Sequence, residues 1–275
     1  MATEYNGVGA SEYTRYKQQH LNQILRTHLR ICSVILKSHN GWAHEQYHYF
    51  DLNAGPGIYL HDGEIIEGSP LVFLQEQKTI DMKCHGVFFE IDDGHRTRLI
   101  HNVADYADKP GLSFAFHGDH EKFLPCYFPP PRKRAKRVFG LVYSDPTGSN
   151  PPFELLQRMF ACKCFSTLDV LLYFSATNYK RQLMAPACPL AERLDEVLGG
   201  INKKHWIVRE PYGRHQWTFL IGTNWTKFPE FKQVGFHRID RPEGKKILAR
   251  LNYTNMEMRT NGDFGDFGHH HAPAI

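Results

Sequence analysis

Three features of the sequence predict an α/β fold built on a doubly wound, mostly parallel sheet. Strand-like apolar segments alternate with helix-like segments from residue 48 to residue 198. The first strand, around Tyr49, Phe50 and Leu52, runs into the glycine turn Ala54-Gly55-Pro56-Gly57. Acidic residues then stand at successive strand ends: Asp51 on the first, and Glu90, Asp119 and Asp145 on three later ones. The carboxyl ends of the strands are where an open α/β sheet takes its ligand.

Taken in order, residues 1–40 read as an N-terminal helical extension. Its helix spans Ser11 to Lys37, with Leu21, Ile24, Leu25, Leu29, Val34 and Leu36 as the apolar stripe. The polar side carries Arg15, Lys17, His20, Arg26 and Arg30, either a solvated face or a surface that meets phosphate. Asn40-Gly41 ends the segment. In the glycine turn, Gly55 and Gly57 are expected at positive φ, so that backbone amides approach a ligand closely. Residues 58–67 read as a short irregular insertion. Ser69 suits an N-cap and Pro70 the first position of the helix that follows.

The second strand is Gly86–Ile91, followed by a helix from Gly94 to Tyr106, and the third strand is Leu112–His117, ending at Gly118-Asp119. Three prolines then lead into residues 132–137, where five of six residues are cationic. That run is a surface loop, and its expected place near the ligand edge of the sheet suits a phosphate-facing element. The fourth strand, Val138–Ser144, enters Asp145-Pro146-Thr147-Gly148. A helix over 152–161 precedes the nearly all-apolar strand Leu168–Ser175, the composition of a central parallel strand. Residues 176–181 form a polar loop off its end. After a helix over Leu190–Leu198, Trp206–Val208 and Trp217–Ile221 suit an antiparallel closing pair, and Phe236–Leu248 leads into a final helix. The organisation expected is a main domain over 41–225, a C-terminal helical segment over 226–260 and a disordered tail over 261–275.

Composition narrows the function classes. The chain of 275 residues carries a formal charge of +4, which permits a polyanionic partner without demanding one. No stretch approaches the ~20 apolar residues that cross a bilayer, and the first residues lack an apolar signal core. No membrane association and a cytoplasmic location are therefore expected. The six cysteines are scattered, Cys162-Lys163-Cys164 is not a CxxC pair, and the histidines form no HExxH. Reduced thiols and no structural metal follow.

The strand-end carboxylates suit a nucleoside joined to an amino acid through a sulfonium. Glu90 can accept from two vicinal ribose hydroxyls, Asp119 from an adenine amino group, and Asp51 can face the ammonium of the amino-acid portion. The glycine turn departs from G-x-G-x-x-G, and no Lys-Ser/Thr follows it, so a dinucleotide or nucleoside triphosphate fits less well. Strands one and four should flank the switch point, bringing Asp145 close to Asp51. There Asp145-Pro146 can hold both N–H bonds of an exocyclic amine and aim the nitrogen lone pair at a methyl group. Read alone, Asp145-Pro146-Thr147-Gly148 is first an ordinary turn; the four acidic strand ends together reverse that reading.

Several pieces in this order carry a resemblance: Lys17-x-x-His20, DLNAGPGIY at 51–59, GSPL at 68–71, FFEID at 88–92, Gly118-Asp119, SDPTG at 144–148 and LLYFSATNYKR at 171–181. Over about residues 14–225 the chain resembles the class I S-adenosylmethionine-dependent methyltransferases. Within them it is similar to the three-Cys-motif partner family and the adenine-N6 methyltransferases, including the bacterial 23S rRNA enzyme. The resemblance implies S-adenosylmethionine as cofactor, bound by Asp51, Asn53, Ala54, Gly55, Gly57, Glu90, Ile91, Gly118 and Asp119. It implies a target-amine site at Asp145 and Pro146. Substrate contacts would come from Lys17, His20, Thr147, Gly148, Asn178, Tyr179 and Arg181, together with Arg132, Lys133, Arg134, Lys136 and Arg137. Adenine-N6 enzymes read Asp/Asn-Pro-Pro-Tyr/Phe, whereas Thr147-Gly148 stands here, nearer the partner family's Asp-Pro-Phe-Gly. Stacking on a base would then fall to Tyr143, Phe153 or Tyr179.

The leading expectation is methylation of adenine N6 in DNA or RNA, with a nucleic acid as partner. A methyltransferase acting on another amine, in a protein or a small molecule, stays open. So does a non-catalytic methyltransferase-fold subunit that binds a protein partner or nucleic acid.

Overall fold

The computed structural model describes residues 12–38, 46–128, 137–177, 179, 190–211, 216–226 and 229–251. Among them no helix is long and apolar enough to cross a membrane. Helix α1 (Glu12–Ser38) leads into strand β1 (Tyr47–Asp51), the hairpin β2 (Ile58–His61) and β3 (Glu64–Glu67), and helix α2 (Ser69–Lys78). Then come β4 (Cys84–Phe89), α3 (Asp93–Asn102), β5 (Leu112–His117), the single turn α4 (His120–Phe123), β6 (Gly140–Ser144), α5 (Phe153–Ala161) and β7 (Leu168–Ser175). Helix α6 (Leu190–Gly199), β8 (His205–Arg209), β9 (Trp217–Thr223), α7 (Pro229–Gln233), β10 (Phe236–Arg238) and α8 (Pro242–Arg250) follow.

The main sheet has the order β10-β8-β9-β7-β6-β1-β4-β5. Strands β5, β4, β1, β6 and β7 are parallel, and β9 runs antiparallel to both β7 and β8. The chain winds outward from β1 through β4 to β5, returns to place β6 on the other side of β1, and winds outward again. This doubly wound order, with β9 inserted antiparallel near the far edge and β10 antiparallel on that edge, is the class I methyltransferase fold that the resemblance implied. The switch point lies between β1 and β6.

Alternate residues of each inner strand face opposite layers, as the period of two requires. Phe50, Val142, Val170, Leu172 and Phe174 join one core with Leu155, Leu194 and Leu248 from α5, α6 and α8. Tyr49, Leu141, Tyr143 and Leu171 join the other with Leu25, Phe73 and Leu99 from α1, α2 and α3.

Helix α1 is held on the sheet by polar as well as apolar contacts. Leu21, Ile24, Leu25 and Leu29 are fully buried, whereas Val34, expected in the same stripe, is 66% exposed. His28 Nε2 lies 3.1 Å from Asp169 Oδ2, and Tyr47 Oη lies 2.9 Å from His28 Nδ1. The buried carboxylate of Glu76 accepts from Asn22 Nδ2 at 2.9 Å and from Arg26 Nε at 3.0 Å. A carboxylate removed from water in this way requires such partners.

Three local features differ from expectation. Residues 58–67 form an antiparallel hairpin instead of an irregular insertion. Asp62 (φ 52°) and Gly63 (φ 76°) make its turn, the Asp-Gly signature of a two-residue hairpin loop. Ser69 is the first residue of α2, with Gly68 at the cap, and its side chain bonds Asp51. The stretch after residue 225 supplies not only helices but β10, which pairs with β8 and closes the sheet. The expected tail over 261–275 lies outside the described residues.

Gly140 opens β6 at φ 140°, and a Cβ there would sit 1.9 Å from the His48 carbonyl oxygen of β1. Gly140→Ala is therefore expected to destabilise the fold by about 3 kcal/mol or more, read as a fall in the denaturation midpoint. An unchanged midpoint would contradict the β1–β6 register.

Candidate active site

A cleft of about 300 Å³ opens at the carboxyl ends of β1, β4, β5 and β6. That volume is at the lower end for small-molecule clefts. Its lining includes Asn53, Gly55, Glu90, Ile91, Asp119, Asp145, Pro146 and Thr147, all predicted, and Lys17 from α1.

The glycine turn is tied to both neighbouring strands. Gly55 and Gly57 take φ values of 63° and 80°. Gly55 N–H donates to Glu90 Oε2 at 2.8 Å, and Asp92 N–H donates to Glu90 Oε1 at 2.9 Å. Each carboxylate oxygen keeps a second lone pair for a hydroxyl donor. Across the switch point, Asn53 Oδ1 accepts from Ser144 Oγ and from Asp145 N–H, both at 3.1 Å. Ile91 extends from the end of β4 with 73% of its surface exposed, an apolar wall for a flat ring. Asp119 caps α4 by accepting from Glu121 N–H at 2.9 Å, and still lines the cleft. Gly118 sits just before it, at the end of β5.

Asp51 lies beneath the cleft. It is fully buried and bonded by Tyr49 Oη at 3.4 Å, by Asn53 N–H at 3.2 Å and by the Ser69 side chain. Burial pushes its carboxyl up to about 7, and nearby Asp145 adds to the rise, while those hydrogen bonds oppose it. The structure thus gives Asp51 the position of a brace for the turn. Ala54 is also buried, with its N–H bonded to the Phe89 carbonyl at 2.9 Å.

At the end of β6, Asp145 is mostly covered, with 11% of its side chain exposed. Tyr143 Oη donates to its Oδ2 at 3.0 Å, and Lys17 Nζ lies 2.8 Å from the same oxygen. Burial pushes the Tyr143 phenol well above its usual range, so it stays a donor. Among the described residues, none bonds the other carboxylate oxygen of Asp145.

The remaining predicted substrate residues divide. Thr147 reaches the rim, and Gly148 beside it is exposed at φ 71°. His20 packs edge-on against Trp217 with ring centroids 5.7 Å apart, outside the cleft lining. Burial, with Arg209 beside it, pulls His20 down to about 3, so at neutral pH it is an uncharged ring. Tyr179 is 2% exposed and packs on Phe174 and Phe153. Tyr143 is fully buried by the strand alternation described above, so neither tyrosine offers a ring for stacking.

Arg137 is exposed, but Val138 next to it donates to the Cys164 carbonyl just before β7, at the amino end of the sheet. The expected position near the ligand edge is therefore corrected for the end of the basic run. A chain leaving the carboxyl end of β5 must cross back before entering the parallel strand β6. Arg132, Lys133, Arg134, Lys136, Asn178 and Arg181 lie outside the described residues. On the polar side of α1, Arg15 pairs with Glu64, Lys17 with Asp145 and Arg26 with Glu76, so these cations serve internal pairs.

Sequence reasoning missed Thr14, Gln18, Tyr59, Ser69, His95, His120 and Ser149 in the lining. Thr14 and Gln18 share a helical face through the i, i+4 spacing, and Thr14 lies one turn before Lys17. The period of 3.6 could have found them from Lys17 alone. Gln18 is 8% exposed, and its Oε1 has no hydrogen-bond partner among the described residues.

No family model matches the chain, and no curated protein matches it. Among solved structures, the chain is similar to the O-methyltransferase TomG from Streptomyces achromogenes, solved in complex with SAM. The TM-score is 0.45 at 9% identity, covering 78% of this chain and 92% of that one. It is also similar to a METTL16 MTase domain, with a TM-score of 0.44 at 11% identity over 80% of this chain and 71% of that one. A human methyltransferase 10 domain containing protein gives a TM-score of 0.43 at 11% identity, over 79% and 85% of the two chains.

The raised carboxyl of Asp51 makes stability depend on pH with a definite sign. Its contribution is complete below the ordinary carboxylate range, where folded and unfolded chains are both protonated. It is lost as pH rises toward about 7, because the folded chain still holds a proton that the unfolded chain has released. Denaturant titrations should show the native protein losing stability relative to Asp51→Asn between about pH 4 and pH 7. A constant difference across that range would refute the buried, protonated carboxyl.

Proposed function

We propose that the protein is an S-adenosylmethionine-dependent methyltransferase acting on an exocyclic amine of a nucleic-acid base, adenine N6 first. One observation carries the reading. An N–H donor, Lys17 Nζ, already rests 2.8 Å from Asp145 at the switch point, in the cleft that Glu90 and Asp119 also line.

The residues present fit the cofactor. Glu90 would accept from the ribose hydroxyls, Ile91 would cover the adenine and Asp119 would take its amino group. Gln18 Oε1, buried and unpartnered among the described residues, is an acceptor available for an ammonium. Bound there, S-adenosylmethionine supplies an electrophilic methyl group. The protein's own part is orientation. Tyr143 and the Asn53 brace hold Asp145, which accepts one N–H of the target amine, while the Pro146 carbonyl can accept the second. That fixes the direction of the nitrogen lone pair, an advantage of position more than of proton removal.

Support for a nucleic acid comes from the resemblance, and the formal charge of +4 permits a polyanion. A target amine can take the Asp145 oxygen that no described residue bonds, beside Lys17 on the other oxygen.

Isothermal calorimetry should show Glu90→Ala weakening S-adenosylmethionine binding by about tenfold or more, whereas Asp145→Asn keeps the affinity within a few-fold. Methyl transfer should collapse in Asp145→Asn; retained turnover would refute its role. The substrate class is read by incubating the protein with methyl-labelled cofactor and, separately, DNA, RNA, peptides and nucleosides. Label in nucleic acid, released on digestion as an N6-methylated nucleoside, is the expected result. Label in peptides alone would move the reading to a protein amine.

A further inference from the structure

Lys17 is unusual among the cations of α1. Arg15 and Arg26 pair at the surface or against α2, but Lys17 turns into the cleft with only 20% of its side chain exposed. Its ammonium is held by Asp145 at 2.8 Å and lies over the Tyr173 ring, 4.9 Å from the centroid. Tyr143 Oη bonds the same carboxylate oxygen. Helix α1 is anchored further along by His28 on Asp169 and by Arg26 and Asn22 on Glu76, so Lys17 belongs to a fixed helix.

We propose that Lys17 is itself a methyl acceptor: its side-chain nitrogen, resting on the carboxylate that holds the target amine, is methylated within its own chain. This rests on the cofactor reading above and adds to it a modification site and a second substrate class, the aliphatic amine.

The step balances without another reactant. The Lys17 ammonium first releases one proton to solvent. The nitrogen lone pair then forms the N–C bond as the methyl–sulfur bond breaks, and that bond's electron pair stays on sulfur. The sulfonium becomes a neutral thioether, and the lysine becomes a methylammonium with its charge kept. The product suits its surroundings. A methylammonium still pairs with Asp145, and its methyl group gains contact with the Tyr173 face, as methylated lysines do in aromatic cages.

The test uses the full chain with no other substrate. Peptide mapping by mass spectrometry, on protein as purified from cells and again after incubation with methyl-labelled S-adenosylmethionine, should find the Lys17 peptide heavier by one CH2 group. Label should reach at most one methyl group per chain, at a rate per chain that does not change on dilution. Lys17→Arg, which keeps a cation on Asp145, should carry no label in that peptide. Asp145→Asn should slow labelling by about tenfold or more. Calorimetry on the same preparations separates the two readings. An unmodified Lys17 in protein that binds the cofactor overturns the self-methylation alone, whereas no cofactor binding overturns both. Label on other lysines that persists in Lys17→Arg, or a rate that rises with protein concentration, also overturns it.

Discussion

The amide oxygen of Asn53 takes two hydrogen bonds from the far side of the switch point, one from the Ser144 hydroxyl and one from the Asp145 backbone. Beyond that level β1 and β6 no longer pair, and the gap between them would be free to widen. The bridge sets the distance between the glycine turn and the Asp-Pro turn. Below it, Asp51 holds Asn53 N–H and the Ser69 side chain, and so ties the start of α2 to the same point. Beside it, Glu90 holds the turn from β4 through Gly55 and holds its own following loop through Asp92. Two acidic side chains and one amide at strand ends thus organise backbone before they meet any ligand. Burying such groups is tolerable because each has donors within reach.

Helix α1 completes the site from outside the sheet. A cleft made by the strand ends alone would be open above β6. Lys17, Thr14 and Gln18 cover that side, and Lys17 places a positive charge against Asp145 in a mostly dehydrated position. Two mostly buried side chains of opposite charge interact far more strongly than a surface pair, and removing either leaves the other uncompensated. The buried His28–Asp169 contact, more than two turns along the helix, belongs to the same arrangement because it fixes the helix on the sheet.

Much of this was legible before any coordinates. The alternation of segments predicted the parallel order. Strands β5 and β7 have the bounds expected of them, and the other strands that were expected differ by a few residues at most. The acidic strand ends were found because an open parallel sheet gathers its carboxyl ends at one edge, whatever the intervening loops contain. The hairpin was missed although Asp62-Gly63 announces it, because two four-residue strands carry little periodic signal. Ser69 was read as a cap because local chemistry favours that role. Its real partner, Asp51, is distant in sequence and adjacent only after folding.

What the sequence by itself determined is the set of elements, the parallel class of the sheet and the carboxylates at its ligand edge. All of these follow from short-range periodicity and from a topology that admits few alternatives. Only the tertiary structure decided which of those carboxylates face the cleft and which lie beneath it. It likewise decided that Tyr143 and Tyr179 are core, that the basic run ends at the opposite edge, and that Lys17 rests on Asp145. Those outcomes depend on which face of a strand or helix meets a neighbour brought from far along the chain, and no local pattern encodes that meeting.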